Sequence, residues 1–189
     1  KKIISLFQRD SGGNRQVFNE IVPGAEWVTL GEGVASRKWD GTSCLYQGGQ
    51  LFKRYDAKRA DNAPPEFIPA DEPDPENKHY MGWLPVGSGP ADVWHRAGLA
   101  WAIDNNMDLR DGTYELVGDG VQGNAEGGVT RLERHGAVQM EGFPRTFETI
   151  RDYFTRFPTI EGVVFWRNPM DQDCDKVKCK AKDFGVKRT

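Results

Sequence analysis

The chain contains 189 residues, of which 38% are hydrophobic and 28% are charged, and its formal net charge is −3. This length can bury one sizeable core, and the composition is typical of neither a disordered chain nor a membrane protein. A protein that coats duplex nucleic acid by bulk electrostatics carries a clear basic excess, which this chain lacks. With no signal-peptide pattern and no long apolar run, we expect one cytoplasmic domain over residues 1–189, with no membrane contact.

Three cysteines and three histidines are scattered along the chain, and their spacing fits neither a disulfide framework nor a structural zinc site. Cys44 and Cys179 occupy alternating positions in predicted strands. We therefore interpret both as small hydrophobic residues rather than ligands.

The first clear pattern runs over residues 34–56, where apolar and polar residues alternate between interruptions at Asp40-Gly41 and Gly48-Gly49. This pattern predicts a meander of three strands. Asp-Gly is a strong hairpin signal, so Lys38 is expected at a strand end. Taken alone, the segment RKWDGT indicates only a turn with a solvated lysine beside it.

An acidic, proline-rich loop and two helices are predicted next. Residues 61–76 should form an irregular surface loop, because proline is excluded from helix interiors and central strands. Pro90 can start a helix over residues 90–106. A second helix is predicted over residues 146–158, with Thr146 as its cap and Pro158 at its end. In the first helix, a helical period places five residues on one face toward the core: Val93, Trp94, Ala97, Ala100 and Trp101.

Residues 112–118, 135–140, 160–166 and 176–182 have the composition of strands. Strand-rich segments with two or three interspersed helices indicate an α+β domain of antiparallel sheets with flanking helices.

The last of these segments alternates lysine with small apolar residues, so that Lys176, Lys178, Lys180 and Lys182 are expected on one strand face. A solvated amphipathic strand would have the same pattern. A shift of two residues along the strand would keep the face and change which lysines are assigned a role.

Four elements occur in a fixed order: KWDG at residues 38–41, Glu115 in YELVG, Glu161 in EGVV, and KCK at residues 178–180. This order resembles the covalent nucleotidyltransferase superfamily, which contains ATP-dependent DNA and RNA ligases and RNA capping enzymes. The segments GWLPV, ELVGDGVQGN, RHGAVQM and IEGVVFW further resemble the ATP-dependent 5′-to-3′ RNA ligase family. The resemblance extends from about Lys38 to Lys180 and implies a nucleotidyltransferase (adenylylation) domain.

The resemblance implies that Lys38 is the nucleophile that attacks the α-phosphate of ATP. A lysine can attack only after it loses its proton, and nearby cations or desolvation favour that loss. Lys178 and Lys180 are such cations, and they can also neutralise charge that develops on the phosphoryl oxygens. Lys38, Lys178 and Lys180 are therefore the predicted catalytic and nucleotide-contacting lysines.

The same resemblance implies ATP and a divalent metal, Mg²⁺ or Mn²⁺, as cofactors, and Glu161 is the candidate to hold the metal. Glu115 is expected to accept hydrogen bonds from the ribose hydroxyls. Arg54 can reach a phosphate or the Asp40 carboxylate, or it can be an exposed strand arginine. Asp40 can orient Lys38 or a metal, or it can only shape the turn.

The implied activity is the joining of RNA 5′-phosphate and 3′-hydroxyl ends through a covalent lysyl-AMP intermediate. DNA ligases commonly place an arginine shortly after KxDG, whereas this chain has Thr42 and Ser43, which favours the RNA branch. Only residues 181–189 follow Lys180, so RNA engagement must use the adenylylation domain itself or residues outside this sequence.

We expect a monomer that binds RNA through a local basic groove near residues 176–188. A DNA ligase or capping-type domain is one alternative. A nucleotide-binding or RNA-binding module without turnover is another.

Overall fold

The structure is a computed structural model that describes residues 2–189. Its strands are β1 (Ile4–Ser5), β2 (Phe7–Arg9), β3 (Val17–Ile21), β4 (Val34–Lys38), β5 (Thr42–Gln47), β6 (Gln50–Ala57), β7 (Ile68–Pro69), β8 (Tyr80–Pro85), β9 (Gly112–Val117), β10 (Arg131–Arg134), β11 (Gly162–Trp166) and β12 (Lys176–Lys180). Its α-helices are α1 (Glu26–Thr29), α2 (Val93–Asp104) and α3 (Phe147–Arg156). None of the helices between residues 2 and 189 combines the length and the apolar character that a bilayer crossing requires.

The chain forms two compact units, each with its own sheet and its own hydrophobic cluster. The central unit comprises residues Asp40–Arg134, and the terminal unit comprises Lys2–Trp39 together with His135–Thr189. That residues 1–189 form a single domain stays a prediction.

The central unit contains a six-stranded antiparallel sheet in the order β10-β9-β5-β6-β8-β7. Gly48 and Gly49 both have positive φ angles, 57° and 77°, at the tight turn between β5 and β6. Such angles match the twist of a two-residue hairpin. The core on one face of this sheet includes Cys44, Tyr114 and Leu116.

The predicted three-strand meander is wrong at its first turn. β4 pairs with β11 in the terminal unit, whereas β5 pairs with β6 and β9 in the central unit, so Asp40-Gly41 is a connection between sheets and not a hairpin. A Cβ atom at Gly41 would lie 2.0 Å from the Leu116 carbonyl oxygen, which explains the need for glycine. Lys38 is at a strand end, as predicted.

Helix α2 begins at Val93, because Pro90–Asp92 forms a 3₁₀ turn ahead of it. The predicted core-facing side is correct at Trp101, which packs against the central core, and wrong at Val93 and Trp94, which are both 43% exposed. The buried positions are Gly98 and Ala102. A Cβ at Gly98 would lie 2.3 Å from Leu116 Cδ1, so the helix approaches the sheet most closely where it has no side chain.

The terminal unit contains a four-stranded sheet in the order β1-β12-β11-β4 and a separate β2-β3 pair. β11 is antiparallel to both neighbours, while β1 runs parallel to β12. One face of the sheet packs on the hydrophobic cluster that includes Ile150 and Phe154 of α3. Thr146 forms a capping box with Thr149, which confirms the predicted start of this helix.

Two predicted strands need correction. Residues 135–140 are not a strand: they form turns with one isolated bridge, between Gln139 and Ser36. Gly136 has a φ of 82°, which interrupts an extended conformation. β12 ends at Lys180, and Lys182 lies in the 3₁₀ turn Ala181–Phe184.

The expected fold class is confirmed at the level of a mixed α+β fold with antiparallel sheets and few helices. Cys44 and Cys179 are buried, as predicted for small hydrophobic residues. Burial, reinforced by the charge of Glu115, raises the pKa of Cys44 to about 12. These two thiols are therefore packing residues.

Gly162 in the middle strand permits the close pairing of β11 with β12. A Cβ at Gly162 would lie 2.1 Å from the Cys179 carbonyl oxygen and 2.9 Å from the Lys180 Cα. We predict that Gly162→Ala lowers the free energy of unfolding by about 1–3 kcal/mol in urea denaturation, because the backbone must move apart.

Gly12→Ala is the matched control, since nothing lies within 4 Å of a Cβ at Gly12. Its free energy of unfolding should stay within about 0.5 kcal/mol of the wild-type value. Equal urea midpoints for the two variants would contradict the close β11–β12 contact.

Candidate active site

The candidate site is built on a row of residues across three strands of the terminal unit. Gly162 on β11 is paired with Lys38 on β4 and with Lys180 on β12. Residues that pair across neighbouring strands point to the same face of the sheet. Lys38 and Lys180 therefore share a face. Gly162, which has no side chain, lies between them.

Lys178 lies on this face as well, in the next row, where Val164 is paired with both Lys178 and Ser36. The opposite face carries Val163, Val177 and Cys179, which belong to the core. The predicted division of β12 into a lysine face and an apolar face is confirmed for residues 176–180.

Glu161 immediately precedes β11 and joins the row through its carboxylate. Lys38 Nζ donates to Glu161 Oε2 at 2.7 Å, and Lys180 Nζ lies 3.4 Å from Glu161 Oε1. The Glu161 side chain is 15% exposed, and the two lysine side chains are 23% and 21% exposed. The carboxylate thus holds two ammonium groups together in a partly desolvated place.

The lysines of β12 have different surroundings, which the sequence pattern alone does not distinguish. Lys176 Nζ lies 4.4 Å from the centre of the Trp166 ring and donates to the Gln172 carbonyl oxygen. Burial lowers the pKa of Lys178, and the charges of Lys180 and Lys38 lower it further, against the opposing effect of Asp183. Of the two lysines assigned a role from the sequence, Lys180 contacts Glu161, and Lys178 lies on the same sheet face as Lys38.

The donor set around Glu161 fits a metal that arrives with a phosphate ligand. Both carboxylate oxygens contact lysines, and residues 2–189 contain no group of three or more His, Cys, Asp or Glu side chains that could hold a metal by itself. Mg²⁺ is commonly held by one or two carboxylates together with substrate phosphates and water. Glu161 is the residue that would supply the carboxylate.

The central unit carries the other predicted nucleotide contacts. Glu115 on β9 is buried, accepts a hydrogen bond from Ser43 Oγ at 3.2 Å, and is paired with Glu133 on β10. Arg54 is paired with Trp83 and lies over its ring, 5.1 Å from the centre.

Strand alternation and the β5–β6 register place Arg54 on the same face of the central sheet as Ser43 and Glu115. Burial lowers the pKa of Arg54, against the opposing effect of Asp56. This desolvation is only partial, because Arg54 is exposed on β6, so the alternative of an exposed strand arginine agrees with the structure and a phosphate contact stays a prediction.

Asp40 has a clear backbone role within the central unit. Its N–H donates to Glu126 Oε1 at 2.8 Å, so Glu126 fixes the start of the segment that leads into β5. Any contact of the Asp40 carboxylate with Lys38 or a metal stays a prediction.

Sequence reasoning missed Lys2 and Arg9, which line a cavity together with Lys178 and Lys180. No element was predicted for residues 1–33. β1 contains only two residues, which is too short for an alternation pattern to be recognised. The signal that could have found these residues is the pair of basic residues that flanks the apolar segment IISLF.

We predict that Lys178→Met raises the free energy of unfolding near pH 7. There the side chain is charged in the folded and the unfolded chain, so the folded state carries the whole cost of a charge among other cations. As pH rises through the lowered pKa of Lys178 toward the ordinary lysine value of about 10.4, the folded chain loses this charge first and the cost disappears.

Urea denaturation at pH 7 and at pH 10 measures this difference, with Lys187→Met as a control at an exposed lysine of the same tail. The advantage of Lys178→Met over the wild type should shrink at the higher pH, and Lys187→Met should match the wild type at both. An equal difference at the two pH values would contradict the electrostatic origin of the effect.

No protein-family model matches this chain, and a comparison with curated proteins finds no match.

Proposed function

We propose that the protein is an ATP-dependent RNA ligase whose nucleophile is Lys38. The observation that carries this proposal is the cluster in the terminal unit. The Lys38 amine lies 2.7 Å from the Glu161 carboxylate, and two further lysines lie on the same sheet face. The resemblance of the sequence to RNA ligases implied a role in adenylyl transfer for these same residues.

The first step is an attack of Lys38 Nζ on the α-phosphate of ATP. The Nζ lone pair forms the bond to phosphorus. The bond from the α-phosphorus to the bridging oxygen breaks, and its electron pair leaves with pyrophosphate. The protons that Nζ releases pass to solvent by way of Glu161, the carboxylate that it contacts. Once uncharged, the amine is no longer held by the ion pair and can reach phosphorus.

The neighbouring cations stabilise the negative charge of this step. Lys180 and Lys178 lie in successive rows on the face of Lys38, so both can contact phosphoryl oxygens around the reacting phosphorus. Fixed ammonium groups in a partly buried place act more strongly than the same groups in water. Mg²⁺ or Mn²⁺, held by Glu161 and the phosphates, would further neutralise the leaving group.

The residues of the central unit are assigned to the nucleoside and the phosphates. Glu115 is the candidate acceptor for the ribose hydroxyls, and its hydrogen bond from Ser43 fixes the carboxylate. Arg54 is the candidate for a phosphate contact, with its guanidinium oriented by the Trp83 ring.

Two further transfers complete the proposed reaction. The RNA 5′-phosphate oxygen attacks the phosphorus of lysyl-AMP, which breaks the nitrogen–phosphorus bond and returns the amine to Lys38. The 3′-hydroxyl of the second RNA end then attacks the activated 5′-phosphate, loses its proton, and displaces AMP. Lys178 and Lys180 can stabilise charge in each transfer.

The direct test is peptide mass spectrometry after incubation with ATP and Mg²⁺. We expect one added AMP on the peptide that contains Lys38, no adduct in Lys38→Met, and a normal adduct in Lys58→Met, which alters an exposed lysine of the central unit. An adduct formed with GTP in place of ATP would favour a capping-type enzyme. No adduct with either nucleotide would favour a binding module.

We also predict that Lys38→Ala abolishes the activation step, in which AMP is taken from ATP, but preserves the sealing step. This variant should fail to join 5′-phosphorylated RNA with ATP, yet it should seal RNA that already carries a 5′-adenylate, because the activated phosphate bypasses the lysine. Lys180→Ala should fail with both substrates. Gel-resolved ligation measures the outcomes, and adenylylated wild-type protein that seals neither RNA nor DNA ends would contradict the ligase proposal.

A further inference from the structure

A cavity of about 390 Å³ lies in the terminal unit beside the candidate site. Its volume falls within the range of about 300–1,000 Å³ that is typical of small-molecule sites. The charged residues that line it are Lys2, Arg9, Lys178, Lys180, Lys182 and Asp183. Five cationic side chains therefore surround this space together with one carboxylate.

The cavity is formed where the N-terminal segment lies against β12. β1 runs parallel to β12 with Ser5 opposite Lys178, and the Leu6 N–H donates to the Lys178 carbonyl oxygen at 3.0 Å. These backbone bonds bring the basic residues of the N-terminal segment to the lysines of β12. The cationic lining thus comes from segments that are far apart in the sequence.

Arg9 is fixed in place by two contacts. One terminal nitrogen, Nη2, lies 2.8 Å from Asp183 Oδ2, and the other, Nη1, donates to the Arg15 carbonyl oxygen at 2.8 Å. Asp183 is only 4% exposed, so its charge is committed to this pair. The lone carboxylate of the cavity therefore orients Arg9 and leaves the four lysines to determine the charge of the remaining space.

The mutual repulsion of these cations favours the binding of an anion. Burial and the charges of Lys180, Lys38 and Lys2 all lower the pKa of Lys178, which shows that the ammonium form has a cost in this place. A polyanion in the cavity would offset that cost and would accept charge-assisted hydrogen bonds from several donors. A divalent cation that is not bound to phosphate would be repelled.

The lining also indicates which kind of anion fits. The residues around the cavity include no aromatic side chain, and sites for single-stranded nucleic acid usually stack bases on aromatic rings. A compact phosphate group therefore fits better than a polynucleotide with its bases. Lys178 and Lys180 belong both to this cavity and to the candidate active site, so the cavity continues from the reacting centre.

We infer that this cavity binds the β- and γ-phosphates of ATP and holds the pyrophosphate that leaves when Lys38 Nζ bonds to the α-phosphorus. The inference rests on the proposed function for the identity of the anion. The cavity supplies the counter-charge for the electron pair that departs with the bridging oxygen. The cavity residues that stand outside the candidate active site would act mainly on the leaving pyrophosphate; they are Lys2, Arg9 and Lys182.

Isothermal titration calorimetry with inorganic pyrophosphate at fixed salt tests the inference without any need for turnover. Lys182→Glu reverses one exposed charge of the cavity, and Lys187→Glu reverses one on the same tail outside it. Both variants have the same net charge. We expect pyrophosphate binding to weaken roughly tenfold or more in Lys182→Glu, and less than about twofold in Lys187→Glu.

A second readout separates this inference from the proposed function. Lys182→Glu should slow the formation of lysyl-AMP from ATP much more strongly than it slows the sealing of pre-adenylylated RNA. Equal pyrophosphate affinity in Lys182→Glu and Lys187→Glu would overturn the inference. The proposed function would still stand if the wild-type protein forms the AMP adduct on Lys38. The wild-type protein could also bind a 5′-phosphorylated oligonucleotide more tightly than pyrophosphate and lose that binding in Lys182→Glu. This result would overturn the inference and indicate a polynucleotide site instead.

Pyrophosphate binding that depends on Lys182 in a protein that forms no adduct would support the cavity and contradict the ligase. Lys2→Ala repeats the titration with a second exposed residue of the cavity and should also weaken binding. Wild-type affinity in Lys2→Ala and Lys182→Glu alike would overturn the inference.

Discussion

The carboxylate of Glu161, placed between the amines of Lys38 and Lys180, is the interaction on which the candidate site depends. Two ammonium groups on one sheet face repel each other, and their partial burial adds a desolvation cost. One carboxylate with an oxygen toward each amine offsets both effects. Without it, the amines of Lys38, the proposed nucleophile, and Lys180 would repel each other with no carboxylate between them.

The strand pairing makes this arrangement possible. Gly162 separates the two lysines in the row, so no side chain projects between Lys38 and Lys180 from this position. The same glycine allows β12 to approach β11 closely. Since alternation along β12 sends Val177 and Cys179 into the core, burial of that face fixes the direction of Lys178 and Lys180.

The sequence predicted those features that depend on local patterns. The strands at β5, β6, β9, β11 and β12, the start of α3 at Thr146, and the shared face of Lys178 and Lys180 follow from alternation and capping, and the structure confirms them. The meeting of Lys38 with Glu161 and Lys180 is non-local. It was expected only through the order of the motifs, because no periodicity specifies which strands pair.

The predictions that were wrong also concern features that depend on non-local contacts. Asp40-Gly41 has the composition of a hairpin turn, but pairing of β4 with β11 rather than β5 is decided by tertiary contacts. Helix α2 buries Gly98 and Ala102 because close packing on Leu116 outweighs the hydrophobicity of Trp94. Two of the cavity's cations, Lys2 and Arg9, were not predicted because β1 and β2 contain only two and three residues, which is too short to show an alternation pattern.

A double-mutant cycle on the rate of lysyl-AMP formation measures whether Glu161 and Lys180 act on Lys38 as one unit. The rates of wild type, Glu161→Gln, Lys180→Met and the double variant are compared in single-turnover reactions with ATP and Mg²⁺. We expect strong coupling, with the double variant about as slow as the slower single variant. Rate losses that simply multiply would mean that Glu161 and Lys180 act on Lys38 independently.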